Sequence, residues 1–321
     1  MDSLAPPTKR RKTSNEEGAN EVISPIRSDI WFDDGSVILQ AESTQFRVHR
    51  TMLARHSPVF RDIFDVPQPH DESLIEGCPI IRLSDSAEDI RLALIALYDG
   101  GSYHARRALP FPVVAALLRI GKKYKLKHLH DEAIIRLQSE FPSTLKEWEG
   151  LSPEYTHIVF QKGILFDIVN LATDCGVQSI FPAAYYLCVQ DLEPLLSGEQ
   201  RDDGTLARLP FSIQKACILG REKILIAQAE HTLRWLDDEE ISDRCENPSA
   251  CARACLEISR CIWKPMPDVS RGLEKWSDVK TDGLCRNCRE DAKEIHQDGR
   301  QKMWEMLPSF FDLPDWEELK G

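Results

Sequence analysis

No stretch of this sequence is apolar for anything near the ~20 residues needed to cross a bilayer; the run at 113–118 ends after six. The basic residues near the N-terminus are followed by no apolar core, so no secretory signal is read there and the chain is expected to stay inside the cell. An excess of positive charge is missing too. Forty Lys and Arg against 52 Asp and Glu leave a net charge of -12, a poor match for a phosphate backbone, so neither direct nucleic-acid binding nor membrane attachment is expected. There is no Gly-x-Ser-x-Gly, no phosphate-binding Gly-rich loop and no His-Glu-x-x-His. The common local routes to an activated nucleophile or a cradled phosphate are therefore absent, and no enzyme or small-molecule substrate is expected. Repeated Cys₂His₂ spacing and kelch-type repeats are likewise not found.

What is present has a globular balance, 42% apolar and 29% charged over 321 residues, which at ~150 residues per domain suggests two domains. The ten cysteines are read as packing or metal-binding thiols rather than a disulfide framework, because the compartment is expected to be reducing and a core of this size needs no staples. Residues 1–26 are rich in Pro, Ser, Asn and charge and are expected to be a disordered tail. Within them Lys9, Arg10, Arg11 and Lys12 follow two prolines, the composition of a nuclear-import signal, although a solvated charge run has the same appearance. Nucleus or cytoplasm is the expected location, the tail favouring the nucleus.

From Ser28 the texture changes. Ile30-Trp31-Phe32, Asp33-Asp34-Gly35-Ser36 and Val37-Ile38-Leu39-Gln40 read as strand, turn and strand. The alternation at 45–49 adds a third strand, and a three-stranded meander is expected. Residues 51–64 then carry a helical apolar face through Leu53, Phe60, Ile63 and Phe64. A strand at 80–83, a helix to Tyr98 and two more helices before Pro142 complete a first domain at 27–142. Strands followed by segregated helices favour the α+β class over an alternating nucleotide-binding sheet.

The stretch Phe46-x-x-His49-Arg50-x-x-Leu53-x-x-x-Ser57-x-x-Phe60-x-x-x-Phe64, preceded by Ser28-Asp29-Ile30, resembles the signature of the BTB/POZ domain over about residues 28–141. The resemblance implies a small sheet flanked by helices that serves as a protein–protein interaction module, often a homodimer, without catalytic machinery. Asp29 and Arg50 match a charged pocket of repressor-type BTB domains, although an architectural buried pair is the favoured alternative. The extra strand and helix that swap in repressor-type dimers are not evident in residues 21–27. His49 and Ser57 are read as architectural, a hydrogen-bonded histidine and a buried helical hydroxyl.

Residues 143–321 are expected to be a mainly α-helical domain, similar in kind to the helical extensions of BTB proteins abundant in fungi. Apolar faces recur at 164–172, 183–189 and 213–236. The aromatic segment at 304–319 is expected to dock within the chain rather than on a partner. Cys245, Cys251, Cys255, Cys261, Cys285 and Cys288 crowd the last quarter. Cys285-x-x-Cys288 has the spacing that presents two thiolates to tetrahedral Zn²⁺ at ~2.3 Å, and Cys245 with Cys251 completes a structural set of four. Cys255, one turn beyond Cys251, is an alternative ligand. Core packing of free thiols is the competing reading, and a redox pair is disfavoured because no thioredoxin-like strand precedes the motif. The function these features point to is a non-enzymatic BTB adaptor, either a substrate adaptor for a cullin-type ubiquitin ligase or a nuclear transcriptional co-regulator. A thiol- or metal-dependent enzyme is the alternative from another class.

Overall fold

The computed structural model describes residues 25–66, 74–99, 107–237, 240–264, 267 and 269–320. The basic run Lys9, Arg10, Arg11 and Lys12 and nearly all of the tail expected at 1–26 lie outside them. The described residues form two compact units, one holding the residues up to His49 together with those from 74 to Ala87, the other holding the rest.

The first unit is a sheet of β1 (Ile26–Trp31), β2 (Val37–Ala41), β3 (Thr44–Val48) and β4 (Ile80–Leu83), in the order β1-β3-β2-β4. β2 pairs antiparallel with β3 and parallel with β4, while β1 runs parallel to β3. The expected meander is thus corrected: β1 and β2 are not neighbours. The Asp-Gly signal does make a turn, with the Gly35 N–H donating to the Phe32 carbonyl. That turn carries the chain over the end of β3, however, where Phe32 and Ser36 donate to the Arg47 and Val48 carbonyls. Gly35 is needed for this close passage, since a Cβ there would come 2.8 Å from the Arg47 side chain. The true hairpin joins β2 to β3 through Glu42, which takes a left-handed φ of 50°. Val37, Ile38, Leu39 and Ala41 are all buried, as a strand with neighbours on both edges and no solvated face requires.

The second unit begins with α1 (Arg50–His56) and α2 (Pro58–Asp65). The single helix expected at 51–64 is broken because Ser57 is extended and Pro58 occupies the first turn of α2, where its missing N–H costs nothing. Then come α3 (Ala87–Tyr98), α4 (Phe111–Lys123), α5 (Lys127–Glu140), α6 (Leu145–Glu149), α7 (Ile164–Cys175), α8 (Phe181–Cys188) and α9 (Leu192–Ser197). A hairpin of two short strands, β5 (Glu199–Gln200) and β6 (Leu206–Ala207), precedes α10 (Phe211–Glu230), α11 (Pro248–Trp263), α12 (Arg286–Phe310) and α13 (Trp316–Lys320).

Two buried charges on α5 tie its C-terminal end to the segment that follows. Glu140 accepts the N–H groups of Thr156, His157 and Ile158. Arg136 pairs with Glu132 and donates to the carbonyls of Arg107 and His157. Every charge is thereby hydrogen-bonded, which is what makes ionic groups tolerable out of water. The aromatic segment near the C-terminus docks internally as expected. Trp304 is buried against Trp148 and donates to the Ser143 carbonyl, and Trp316 stacks on Trp304 with ring centroids 5.4 Å apart.

Candidate functional site

Four thiols, Cys245, Cys251, Cys285 and Cys288, converge so that every Sγ lies within 4.8 Å of the others. Local chemistry explains how. Cys245 sits in a turn in which its N–H donates to the Ser242 carbonyl. Asn247 caps α11 by accepting the Ala250 N–H, Pro248 opens the helix, and Cys251 follows in its first turn. Gly283, at φ +87°, lets the approach to α12 press on α11, where a Cβ would meet that of Ala254 at 2.9 Å. This brings the Cys285 N–H to the Cys251 sulfur at 3.3 Å. Cys285 is itself the N-cap of α12, accepting the Cys288 N–H at 3.5 Å, so both sulfurs of the C-x-x-C lie on the first turn. Asn287 reaches back to the Arg244 carbonyl, and Arg244 pairs with Asp291. A hydrophobic cluster that includes Trp235, Leu236, Ala254, Ile262 and Leu284 encloses the inner side.

The four thiols fit a tetrahedral metal. Ligands at ~2.3 Å from a tetrahedral centre stand ~3.8 Å apart, and the Cys245 and Cys285 sulfurs are 3.8 Å apart. That is well beyond the ~2 Å of a disulfide. The N–H of Cys288 brings the Cys285 thiol down to about 7, whereas burial pushes Cys251 and Cys288 up. Assembled as thiolates, the four would carry concentrated negative charge in a half-buried place, which a divalent cation offsets. Cys255 lies outside the group; it is buried with its sulfur 3.9 Å from the Trp235 carbonyl. Cys261 is exposed. Asn247, Gly283, Asn287 and Arg244, which build the site, carry no ligand signature; only Asn247-Pro248 was readable, as a helix start.

The signature residues occupy the strand-to-helix passage. Phe46 is buried on β3, and Leu53 and Phe60 are buried on α1 and α2. Phe60 stacks on Tyr124 at 4.5 Å between centroids, with Phe64 alongside at 6.0 Å. Ser57 is fully buried but is a cap rather than a residue inside a helix: it accepts the Phe60 N–H and donates to the Tyr124 carbonyl. His49 places Nε2 3.1 Å from Asp34 and its ring against Phe32. This hydrogen bond is the main reason the Asp34 carboxyl lies below its ordinary range. Asp29 and Arg50 are both exposed, where a buried pair was the favoured expectation. Arg50 donates to the Phe64 carbonyl and lies over the Phe64 ring.

No helix among the described residues is long and apolar enough to cross a membrane. No curated protein matches the chain. Residues 33–140 match the family model of the BTB/POZ domain, the stretch that holds the signature from Phe46 to Phe64 and ends at the buried Glu140. The mixed sheet, the helices that follow its strands and this match together make the chain a BTB/POZ domain-containing protein.

Proposed function

We propose that this chain is a non-enzymatic adaptor. Its BTB/POZ domain, at 27–142, engages the scaffold of a cullin-type ubiquitin ligase, and its helical region, at 143–321, selects a second protein. The observation that carries this reading is the family match over 33–140, because the domain is an interaction module and the chain continues beyond it into a further helical region. A zinc ion held by Cys245, Cys251, Cys285 and Cys288 serves that region as a staple. Four thiolates leave no open coordination position, so the metal supplies stability and no chemistry on a substrate.

Proximity labelling with the full-length protein and with a form lacking residues 28–141 tests the adaptor reading. The expected result is a set of partners, a cullin among them, that vanishes with the deletion. Partners that are all retained sink it. The run Lys9-Arg10-Arg11-Lys12 favours a second reading, a nuclear co-regulator. In that case chromatin-bound proteins replace the cullin in the labelled set, and changing the four residues to alanine moves the protein out of the nucleus.

A further inference from the structure

The helix α10, FSIQKACILGREKILIAQAE, carries large apolar residues on two opposite sides, separated by flanks that hold its Gln, Arg221 and Lys223 residues, whereas a helix on a protein surface ordinarily has one apolar stripe. One side is indeed covered. Cys217 and Ile224 are buried, and Gly220 lies so close to Phe311 that a Cβ would come within 2.4 Å of its ring. The opposite side is open: Phe211 is 78% exposed, Ile226 56%, Leu219 43% and Ile218 41%. At 100° per residue these four fall on one stripe, and the charged Lys215 and Glu222 share it. Large apolar side chains aligned along one exposed helix face mark a surface that is covered by something else.

The order of residues along the stripe identifies the occupant. Counted outward from the midpoint between Ile218 and Leu219, the stripe reads the same in kind in both directions: apolar at Ile218 and Leu219, charged at Lys215 and Glu222, apolar at Phe211 and Ile226. The two charges are opposite in sign and equidistant from the midpoint. On its own helix neither has an opposite charge three or four places away, since those places hold Phe211, Ser212, Ile218, Leu219, Leu225 and Ile226. A two-fold axis through the midpoint places an antiparallel copy so that Ile218 meets Leu219, Phe211 meets Ile226, and Lys215 meets Glu222, each contact occurring twice. Such self-complementarity is what an isologous interface requires.

We propose that α10 is a self-association surface on which a second copy of this chain lays its own α10 antiparallel, about an axis between Ile218 and Leu219. This interface is separate from the BTB/POZ domain and does not depend on the adaptor reading. One helix face is small beside the ~1,600 Å² of a standard stable interface, so the association is weak, in the micromolar range or above.

Sedimentation equilibrium of the full-length protein over a micromolar concentration series tests it. The wild type is expected to show a concentration-dependent rise in mass that Ile218→Asp removes while far-UV circular dichroism and Tm stay unchanged. Lys215→Glu and Glu222→Lys should each weaken the association roughly tenfold, because either change sets two like charges face to face across the axis. The double exchange, K215E with E222K, should restore it. That rescue separates this pairing from general surface stickiness and from any dimer made by the BTB/POZ domain. A wild type of constant mass, a rise in mass that survives Ile218→Asp, or a double exchange that fails to restore association would each overturn the proposal. Constant mass would mean that another protein or another segment of this chain covers the stripe.

Discussion

Two helix starts in this chain solve the same local problem with different atoms. At α2 the Ser57 hydroxyl accepts the N–H of Phe60, three residues on, at 3.0 Å; at α12 the Cys285 thiol accepts the N–H of Cys288, also three residues on, at 3.5 Å. Both satisfy one of the orphan donors that every helix N-terminus exposes. The hydroxyl then gives its proton to the Tyr124 carbonyl and is wholly consumed as a joint between segments. The thiol is instead biased toward its anion, and its sulfur lies near three more. The lesson is that a cap becomes a binding site when its atom keeps charge to share after the backbone has been served.

Breaking the sulfur side should have the larger effect. Cys251→Ser or Cys288→Ser is expected to drop zinc from one per chain to none and to unfold the helices around the site at markedly lower temperature, since binding by a structural Zn²⁺ site is of the order of 10 kcal/mol and is linked to folding. Metal analysis together with calorimetry checks this; a variant that keeps its metal, or a wild type that never had any, would refute the assignment. Breaking the oxygen side is gentler. Ser57→Ala removes a cap and leaves the buried Tyr124 carbonyl short of a donor, a combined loss of about 2–3 kcal/mol, read from urea unfolding, with zinc content unaffected.

Acid sharpens the contrast along α12. His296 is buried on that helix, its ring nitrogens 3.1 Å from the Thr232 carbonyl and 2.8 Å from the Glu274 carbonyl. Burial holds it below the ordinary histidine range, against the opposing pull of the Glu274 carbonyl. Because the folded state resists the proton that the unfolded chain accepts, the stability His296 gives is present above the unfolded value of about 6.5 and is lost as pH falls below it. His296→Gln should flatten that part of the pH–stability curve while leaving zinc bound at neutral pH. An unchanged acid limb in this variant would assign the loss to the thiols alone. The smallest effect is expected from Cys255→Ala, about 1 kcal/mol with full zinc content. Loss of metal there would make Cys255 a ligand after all.

The legible parts of this molecule were those written in local spacing. The signature from Phe46 to Phe64 shows because each position recurs at helical or strand intervals, and the Cys285-Cys288 pair shows because two residues separate the thiols. The break at Ser57 was obscured since the apolar period continues across it, even though Ser-Pro is a helix-start signal. The β2–β3 hairpin was legible, but that β1 borders β3 rather than β2 was not: the Asp-Gly turn fixes a change of direction, while the partner is chosen by contacts distant in sequence. Cys251 and Cys255 stand one turn apart, and only the packing around Trp235 separates ligand from core residue. Arg136, Glu140 and His296 were missed because charged residues on a helix look solvated until their carbonyl and amide partners, tens of residues away, are known.

The bond from Trp304 to the Ser143 carbonyl joins residues 161 positions apart. During synthesis at roughly 5–20 residues per second, the ribosome needs on the order of 8–30 s after Ser143 to supply that indole, and longer to reach Trp316. The start of the helical body therefore waits, half-assembled, for its own far end: Tyr186 can reach the Trp148 ring early, but the contact with Trp304 comes last. In a cell this interval is the window in which a chaperone would find something to hold.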